Sequence, residues 1–361
     1  MKNNIALGLM SGTSADGLTI CAVTVRPFSV LAFKNYPYPP ELQNKLLNAF
    51  TLTVPQLSEL HFELGRLYAR LAQKFLRQSG LCAKQICVVG SHGQTVYHGP
   101  QDKTPNTLQI GEPSFLACAL NAPVVSDFRP KDMALGGQGA PLVPFFDAFL
   151  WGKRTPRTVV NIGGISNVTA VGRGIKTTGF DAGPGNTLMD LFCQQTLHRP
   201  FDKNGACAAK GKADEDLVKQ WLLLPYFTKR PPKSLDKNTF GQSFLQKYVK
   251  EASAQDMLAT LNLFTAAAVT RALAFLPKPA RGKIAVCGGG AYNATLLENL
   301  RRLNPRAQVY TTQQDGLHPL AKESAAFAVM AFEALNGRTN HCSRATGASK
   351  NAVLGKITLC K

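Results

Sequence analysis

The stretch Ile5-Ala-Leu-Gly-Leu-Met-Ser-Gly-Thr-Ser-Ala-Asp-Gly17 runs directly into Leu18-Thr-Ile-Cys-Ala-Val-Thr-Val25. An apolar run, a Gly/Ser/Thr-rich segment and a second β-branched run read as strand, loop, strand. The same order returns at Thr158-Val-Val-Asn-Ile-Gly-Gly-Ile-Ser-Asn167, followed by Val168-Thr-Ala-Val171. One such unit near the start and one near the middle predict two related lobes. The segment Gly8–Gly17 exceeds the about two to five residues of a simple hairpin loop. Its glycines, Gly8 and Gly12 among them, let backbone N–H groups approach an anion, and Ser11, Thr13 and Ser14 add hydroxyl donors. The alternative is a plain hairpin turn. Asp16 is a candidate ligand for Mg²⁺, directly or through water. No Gly-Lys-Ser/Thr follows, which excludes a Walker A loop, and a strand instead of a helix comes next, which excludes a dinucleotide fingerprint.

Outward from this hairpin, short strands alternate with helical patterns, which points to an α/β architecture. Leu60, Leu64, Leu67 and Leu71 give helical spacing within 57–78. Buried strands are expected at 86–90, 123–126 and 284–287, a helix from about Asn186 to Gln195, an Ala-rich buried helix over 260–275 and a strongly apolar helix over 322–335. A polar, Pro- and Lys-rich stretch covers 229–238, and a last apolar piece covers 352–359.

The bulk figures bound the function classes. The 361 residues suit two lobes better than one core. Hydrophobic residues make up 45% and charged residues 17%, which argues against large-scale disorder. No apolar run reaches the roughly 18–20 residues of a membrane span, and the Ile5–Met10 run is too short for a secretory segment. A cytoplasmic location is expected, without a membrane partner. The nine cysteines include no Cys-x-x-Cys pair, so free thiols are expected instead of disulfides or a zinc site. The formal charge is +19. The basic residues are dispersed, densest at Lys229-Arg230-Pro231-Pro232-Lys233, with Lys237, Lys247 and Lys250 beyond. No basic run alternates with aromatics, so a nucleic-acid partner is not expected, and attraction of anionic ligands accounts for the sign of the charge.

Further motifs carry candidate chemistry. In Asn161-Ile-Gly-Gly-Ile-Ser-Asn167, Gly163 and Gly164 allow positive φ and make a second candidate phosphate turn. Gly179-Phe-Asp-Ala-Gly-Pro-Gly-Asn186 places one carboxylate, Asp181, before a turn and a helix for which Asn186 is the expected N-cap. Asp181 reads either as a brace for the turn or as a general base beside phosphates. In Cys287-Gly-Gly-Gly-Ala-Tyr-Asn293, Gly288, Gly289 and Asn293 form either a tight strand-to-helix turn or a backbone-lined slot for a purine. His92 in Ser91-His-Gly-Gln-Thr95 is a turn histidine or a ligand-binding one. Arg129 in Asp127-Phe-Arg-Pro-Lys-Asp132 is a surface ion-pair partner or a planar fork for a carboxylate or phosphate. Glu323 is a simple first-turn carboxylate or a site residue.

Two phosphate hairpins, a central Asp and a late Gly-Gly-Gly turn resemble the actin, Hsp70 and hexokinase ATPase superfamily. The strings at Gly8–Gly17, Ser91–Thr95, Asp127–Pro144, Asn161–Val168, Gly179–Asp190 and Glu323–Ala328 resemble more closely the anhydro-N-acetylmuramic acid kinase family, along essentially the whole chain. The resemblance implies a two-lobed, ribonuclease H-like α/β fold with its active-site cleft between the lobes. The expected lobes are 1–130 plus 338–361, and 131–337. It implies phosphorylation of O6 of 1,6-anhydro-N-acetylmuramic acid by ATP with hydrolytic opening of the anhydro bridge, in peptidoglycan recycling. It also implies Mg²⁺ and a homodimer.

On matching positions, Asp181 corresponds to the catalytic base. Ser11, Gly12, Thr13 and Asp16 correspond to the first phosphate loop, and Gly163 and Gly164 to the second. Arg129 and Glu323 correspond to sugar-site positions, with His92 and Thr95 in a motif near the sugar. The chain departs from the family at Thr19, where a second Asp is often found. That bears on an auxiliary metal or structural role. Two other readings stand beside this one: a conventional kinase phosphorylating a free sugar hydroxyl, and a non-catalytic ATP-dependent sugar sensor that switches by lobe closure.

Overall fold

The computed structural model describes residues 4–235, 239–249 and 252–360. Lys237, Lys250 and the end of the 229–238 stretch lie outside the described residues. The chain divides into two compact units, one of residues 1–146 and 321–361, the other of residues 147–320.

In the first unit, β1 (Ile5–Ser11), β2 (Gly17–Val25) and β3 (Phe28–Pro37) form an antiparallel meander. β4 (Ile86–Ser91) lies parallel to β1. A separate hairpin of β5 (Gln94–Gly99) and β6 (Asn106–Ile110) follows. β7 (Val124–Ser126) is parallel to β4, and a final strand, Lys356–Thr358, runs antiparallel to β7. The sheet order is therefore β3-β2-β1-β4-β7, extended by the final strand. The helix Val54–Gln78 covers one face. It opens with a Thr53/Gln56 capping box, and its buried stripe is Leu60, Leu64, Tyr68, Ala72 and Phe75. Leu67 and Leu71, expected on that stripe, sit half-buried at its border.

The other face of the sheet carries the helix Lys322–Leu335, whose Ala-rich sequence lets it approach closely. A Cβ on Gly8 would lie 1.7 Å from the Ser324 carbonyl oxygen, and one on Gly90 2.1 Å from that of Phe327. These two glycines are therefore packing residues of β1 and β4.

The second unit repeats the plan. β8 (Arg157–Ile162), β9 (Ile165–Val171) and β10 (Thr178–Pro184) are antiparallel neighbours. β11 (Lys283–Cys287) is parallel to β8, and β12 (Gln308–Thr311) is parallel to β11. The order β10-β9-β8-β11-β12 matches that of the first sheet strand for strand. Each unit is thus a ribonuclease H-like α/β sheet, the fold class expected from the doubled hairpin. The buried helix Ala254–Leu273 packs on this sheet through Ala266, Val269, Ala272 and Leu273, and shares an aromatic cluster with Trp221, Phe227, Phe240 and Phe244.

The division at Phe146/Asp147 and Leu320/Ala321 differs from the expected boundaries at 130/131 and 337/338. The cause is packing that apolar periodicity does not reveal. The Lys322–Leu335 helix is seated on β1 and β4, and residues 132–139 are bonded to the C-terminal segment through Asp132 and Thr346.

Candidate active site

The first glycine segment is shorter as a loop than its sequence suggested. Gly8 to Ser11 belong to β1, which leaves Gly12–Asp16 as the turn. Ala15 takes a left-handed conformation, and its N–H donates to the Gly12 carbonyl at 3.1 Å. Thr13, Ser14 and Asp16 are exposed at the tip. Ser11 is placed differently from the exposed donor expected. It is buried, donates to Gln94 Oε1 at 2.5 Å and accepts from the Tyr38 hydroxyl at 3.0 Å. Gln94 Nε2 in turn donates to the Gly12 carbonyl at 3.1 Å. Ser11 and Gln94 brace the turn from beneath. Thr19, at the position where the family often has Asp, donates to Asn35 Oδ1 on β3.

Also in the first unit, His92 and Arg129 meet. Arg129 Nε and Nη2 lie 3.2 and 2.9 Å from His92 Nε2, and Nη1 donates to the Gly139 carbonyl at 2.9 Å. His92 Nδ1 faces the Gly93 carbonyl at 2.9 Å. A ring that accepts from Arg129 and donates to Gly93 is neutral. Burial first, and then the Arg129 charge, pull its pKa down to about 3. The His92 ring also packs on Phe327 at 4.8 Å. Glu323 stands four residues before Phe327, on the same helix face one turn closer to the N-terminus. Thr95 Oγ1 accepts from Gln109 at 3.3 Å.

Asp132, which sequence reasoning did not single out, organises this region. Its Oδ1 lies 2.6 Å from His341 Nε2 and accepts from Thr346 Oγ1 at 2.5 Å, while its Oδ2 accepts from the Gly139 N–H at 2.6 Å. Burial acts to raise its pKa, but the bonds from His341, Thr346 and Gly139 outweigh it and hold the carboxyl below its usual range.

In the second unit three motifs converge at the ends of β8 and β11. Gly163-Gly164 is a two-residue turn, and neither glycine uses the left-handed φ that is open to it. Instead its carbonyls accept the N–H groups of Gly185, Asn186 and Thr187 at 2.9, 2.8 and 3.3 Å. Asn186 precedes the helix Thr187–Leu197 but does not cap it through its side chain, whose amide faces the Ile162 carbonyl at 3.4 Å. Gly288 has φ +80°, and a Cβ there would lie 2.6 Å from the Ile162 carbonyl oxygen; one on Gly289 would lie 3.3 Å from Asn186 Nδ2. The glycine turn thus lies over the hairpin tip, at the carboxyl ends of two parallel strands where α/β sheets bind ligands. Asn293 is a helix cap: its Oδ1 accepts from the Leu296 N–H and from Asn262 Nδ2.

Asp181 lies within β10, beside a bulge. Its Oδ2 accepts the Leu235 N–H at 2.8 Å, its own N–H donates to the Lys233 carbonyl at 3.2 Å, and its carbonyl accepts the Tyr226 hydroxyl at 2.5 Å. Lys233 is buried, with its Nζ between the rings of Tyr226, Phe275 and Phe180 at 4.6, 4.9 and 5.5 Å. The sequence marked Lys233 only as part of a polar stretch.

Two ribonuclease H-like sheets with glycine turns at their strand ends and one braced carboxylate fit the two-unit ATPase fold class. The sequence profile of the anhydro-N-acetylmuramic acid kinase family matches residues 4–360. Anhydro-N-acetylmuramic acid kinase of Caldanaerobacter subterraneus subsp. tengcongensis is 37% identical, over 99% of this chain and 98% of that one. Those of Coxiella burnetii and Pasteurella multocida are 39% and 38% identical, each over 97% of this chain and 96% of the relative. The chain belongs to the anhydro-N-acetylmuramic acid kinase family. Among solved structures, component A of Acidaminococcus fermentans (R)-2-hydroxyglutaryl-CoA dehydratase is similar with a TM-score of 0.48 and 12% identity, over 91% of this chain and 98% of that one.

Proposed function

We propose that the chain phosphorylates 1,6-anhydro-N-acetylmuramic acid on O6 with ATP and opens its anhydro bridge with water in the same reaction, giving N-acetylmuramate 6-phosphate and ADP. The observation that carries this reading is the Asp181 carboxylate, fixed by the Leu235 N–H on the strand that leads into the Gly185–Thr187 turn. That turn is bonded to the second glycine hairpin.

Phosphoryl transfer asks little covalent chemistry of a protein; it asks for positioning and for neutralisation of charge. The turns Gly12–Asp16, Gly163-Gly164 and Gly288-Gly289 are the candidate phosphate and nucleotide contacts. The anhydro bridge is an internal acetal. Its opening by water resembles an inverting glycosidase, in which a carboxylate activates water on the face opposite the leaving oxygen. In the proposed step Asp181 takes a proton from water, the water oxygen bonds C1 and the C1–O6 bond breaks. O6 bonds the γ-phosphorus as its bond to ADP breaks. Capture of O6 by phosphorus replaces the acid that a glycosidase needs, so one carboxylate suffices. Arg129 pairs with the lactyl carboxylate of the sugar, a site completed by His92, Thr95 and Glu323.

Among the described residues no group of three or more His, Cys, Asp or Glu is placed to hold a metal. A Mg²⁺ ion that arrives with the nucleotide needs only one or two protein carboxylates, because phosphate oxygens and water complete its shell. Exposed Asp16 fits that demand, and the ion would neutralise phosphate charge there. Among the described residues no helix is long and apolar enough to cross a membrane. A cytoplasmic homodimer is the working state we propose, on the family resemblance.

An ADP-release assay in ¹⁸O-water, run with the anhydro sugar, N-acetylmuramic acid and N-acetylglucosamine, tests the function. We expect release with the anhydro sugar and label at C1. Release with a free sugar only, and no label at C1, would mean a conventional sugar kinase.

A further inference from the structure

We propose that Lys233 is a positioning residue for Asp181: its ammonium, lodged among three aromatic rings, anchors the Lys233–Leu235 segment that orients the carboxylate. The inference rests on the reading of Asp181 as the base. The segment grips Asp181 twice, through the Lys233 carbonyl on the Asp181 N–H at 3.2 Å and the Leu235 N–H on Oδ2 at 2.8 Å. Lys233 Nζ donates to the Tyr226 carbonyl at 3.2 Å, and the Tyr226 hydroxyl donates to the Asp181 carbonyl at 2.5 Å. One residue's side chain and main chain thus reach Asp181 by two routes, with Tyr226 in both the cage and the network.

A structural role alone does not explain a lysine here. Burying a charge among rings costs more than burying a methionine of similar length, so packing alone would favour an apolar side chain at this position. What methionine lacks is a positive charge beside the base and a donor for Tyr226. The charged groups that act on Lys233 are Arg271, Lys229 and Asp181. Burial, then Arg271 and Lys229, lower its pKa to about 8, and Asp181 opposes them. Of these, Arg271 is engaged with the Phe227 carbonyl.

The test compares Lys233→Met, Lys233→Arg and Tyr226→Phe with wild type by steady-state kinetics on the anhydro sugar and by hydrogen-exchange mass spectrometry. A displaced base costs about 10²-fold, so we expect kcat of Lys233→Met to fall by about 10- to 100-fold. Loss confined to the transition state leaves KM for both substrates within about threefold. The acidic limb of the kcat/KM profile moves to higher pH, because a carboxylate that loses a neighbouring cation holds its proton more tightly. Lys233→Arg restores part of kcat. Exchange rises over residues 178–184 in Lys233→Met.

A kcat within about threefold of wild type, a motionless acidic limb, or unchanged exchange over 178–184 overturns the proposal. Should Lys233→Met fail to fold, Tyr226→Phe decides by the same criterion on kcat. Wild-type protein that releases no ADP with the anhydro sugar sinks the functional reading instead, and the exchange measurement still decides the anchor.

Discussion

Arg129 is bonded to a histidine: its Nε and Nη2 lie 3.2 and 2.9 Å from His92 Nε2, so the imidazole accepts from a cation and stays neutral. The pair has two consequences. Removing Arg129 takes away a charged donor, worth about 10- to 100-fold in affinity for an anionic group. Arg129→Ala is expected to raise KM for the anhydro sugar by that factor with a smaller change in kcat, measured by steady-state kinetics. An unchanged KM would exclude Arg129 as the partner of the lactyl carboxylate.

The same pair makes stability depend on pH. The folded chain keeps His92 neutral down to about pH 3, whereas an unperturbed histidine takes up its proton near 6.5. Between those values the unfolded state binds more protons, so stability rises with pH and is lost as pH falls below about 6.5 toward 3. Urea denaturation at pH 7, 6, 5 and 4 should show this slope, and His92→Asn should flatten it.

Asp181→Asn retains the strand and the acceptor for the Leu235 N–H but cannot take a proton. Turnover is expected to fall by at least about 10²–10⁴-fold, the usual contribution of a general base. Binding of ATP and sugar, measured by calorimetry, should stay near wild type. Near-normal kcat would remove Asp181 from the mechanism.

Gly8 and Gly12 should respond differently to the same methyl group. At Gly8 it would lie 1.7 Å from a backbone oxygen of the helix on the sheet, whereas at Gly12 its nearest neighbour is the Ser14 hydroxyl at 3.8 Å. Gly8→Ala is expected to destabilise the protein by about 1–3 kcal/mol or more through overpacking. Gly12→Ala should keep stability and raise KM for ATP. Thermal melts and ATP titrations of both variants separate packing from phosphate binding.

Asp132 is the buried acceptor for His341, Thr346 and the Gly139 N–H. Asp132→Ala leaves these donors without their partner and is expected to cost about 3–5 kcal/mol in urea denaturation. Because Gly139 also accepts from Arg129, KM for the sugar should rise in whatever fraction folds. A stable variant with unchanged KM would separate the C-terminal segment from the Arg129 site.

The doubled strand–turn–strand pattern at Ile5–Val25 and Thr158–Val171 was legible because β-branched runs broken by glycine are a local signal. So were the strand Ile86–Ser91 and the helix Lys322–Leu335, found close to their expected bounds. The site was legible as motifs and less so as roles. Ser11 carries a hydroxyl in a Gly-rich string, yet that hydroxyl is spent on Gln94, 83 positions away. Gly8 reads as loop and serves packing. Asn293 reads as a nucleotide contact and caps a helix.

By itself, then, the sequence determined several of the strands and helices, that the hairpin unit occurs twice, and which family the chain resembles. These follow from periodicity and turn chemistry, which act between near neighbours. Only the tertiary structure decided that Arg129 meets His92, that Asp132 ties Gly139 to His341, and that Lys233 and Leu235 close on Asp181. Apart from Asp132 and Gly139, seven positions apart, these pairs join residues tens to hundreds of positions apart. Their meeting depends on strand order and on helices seated by glycine, and no local pattern encodes either.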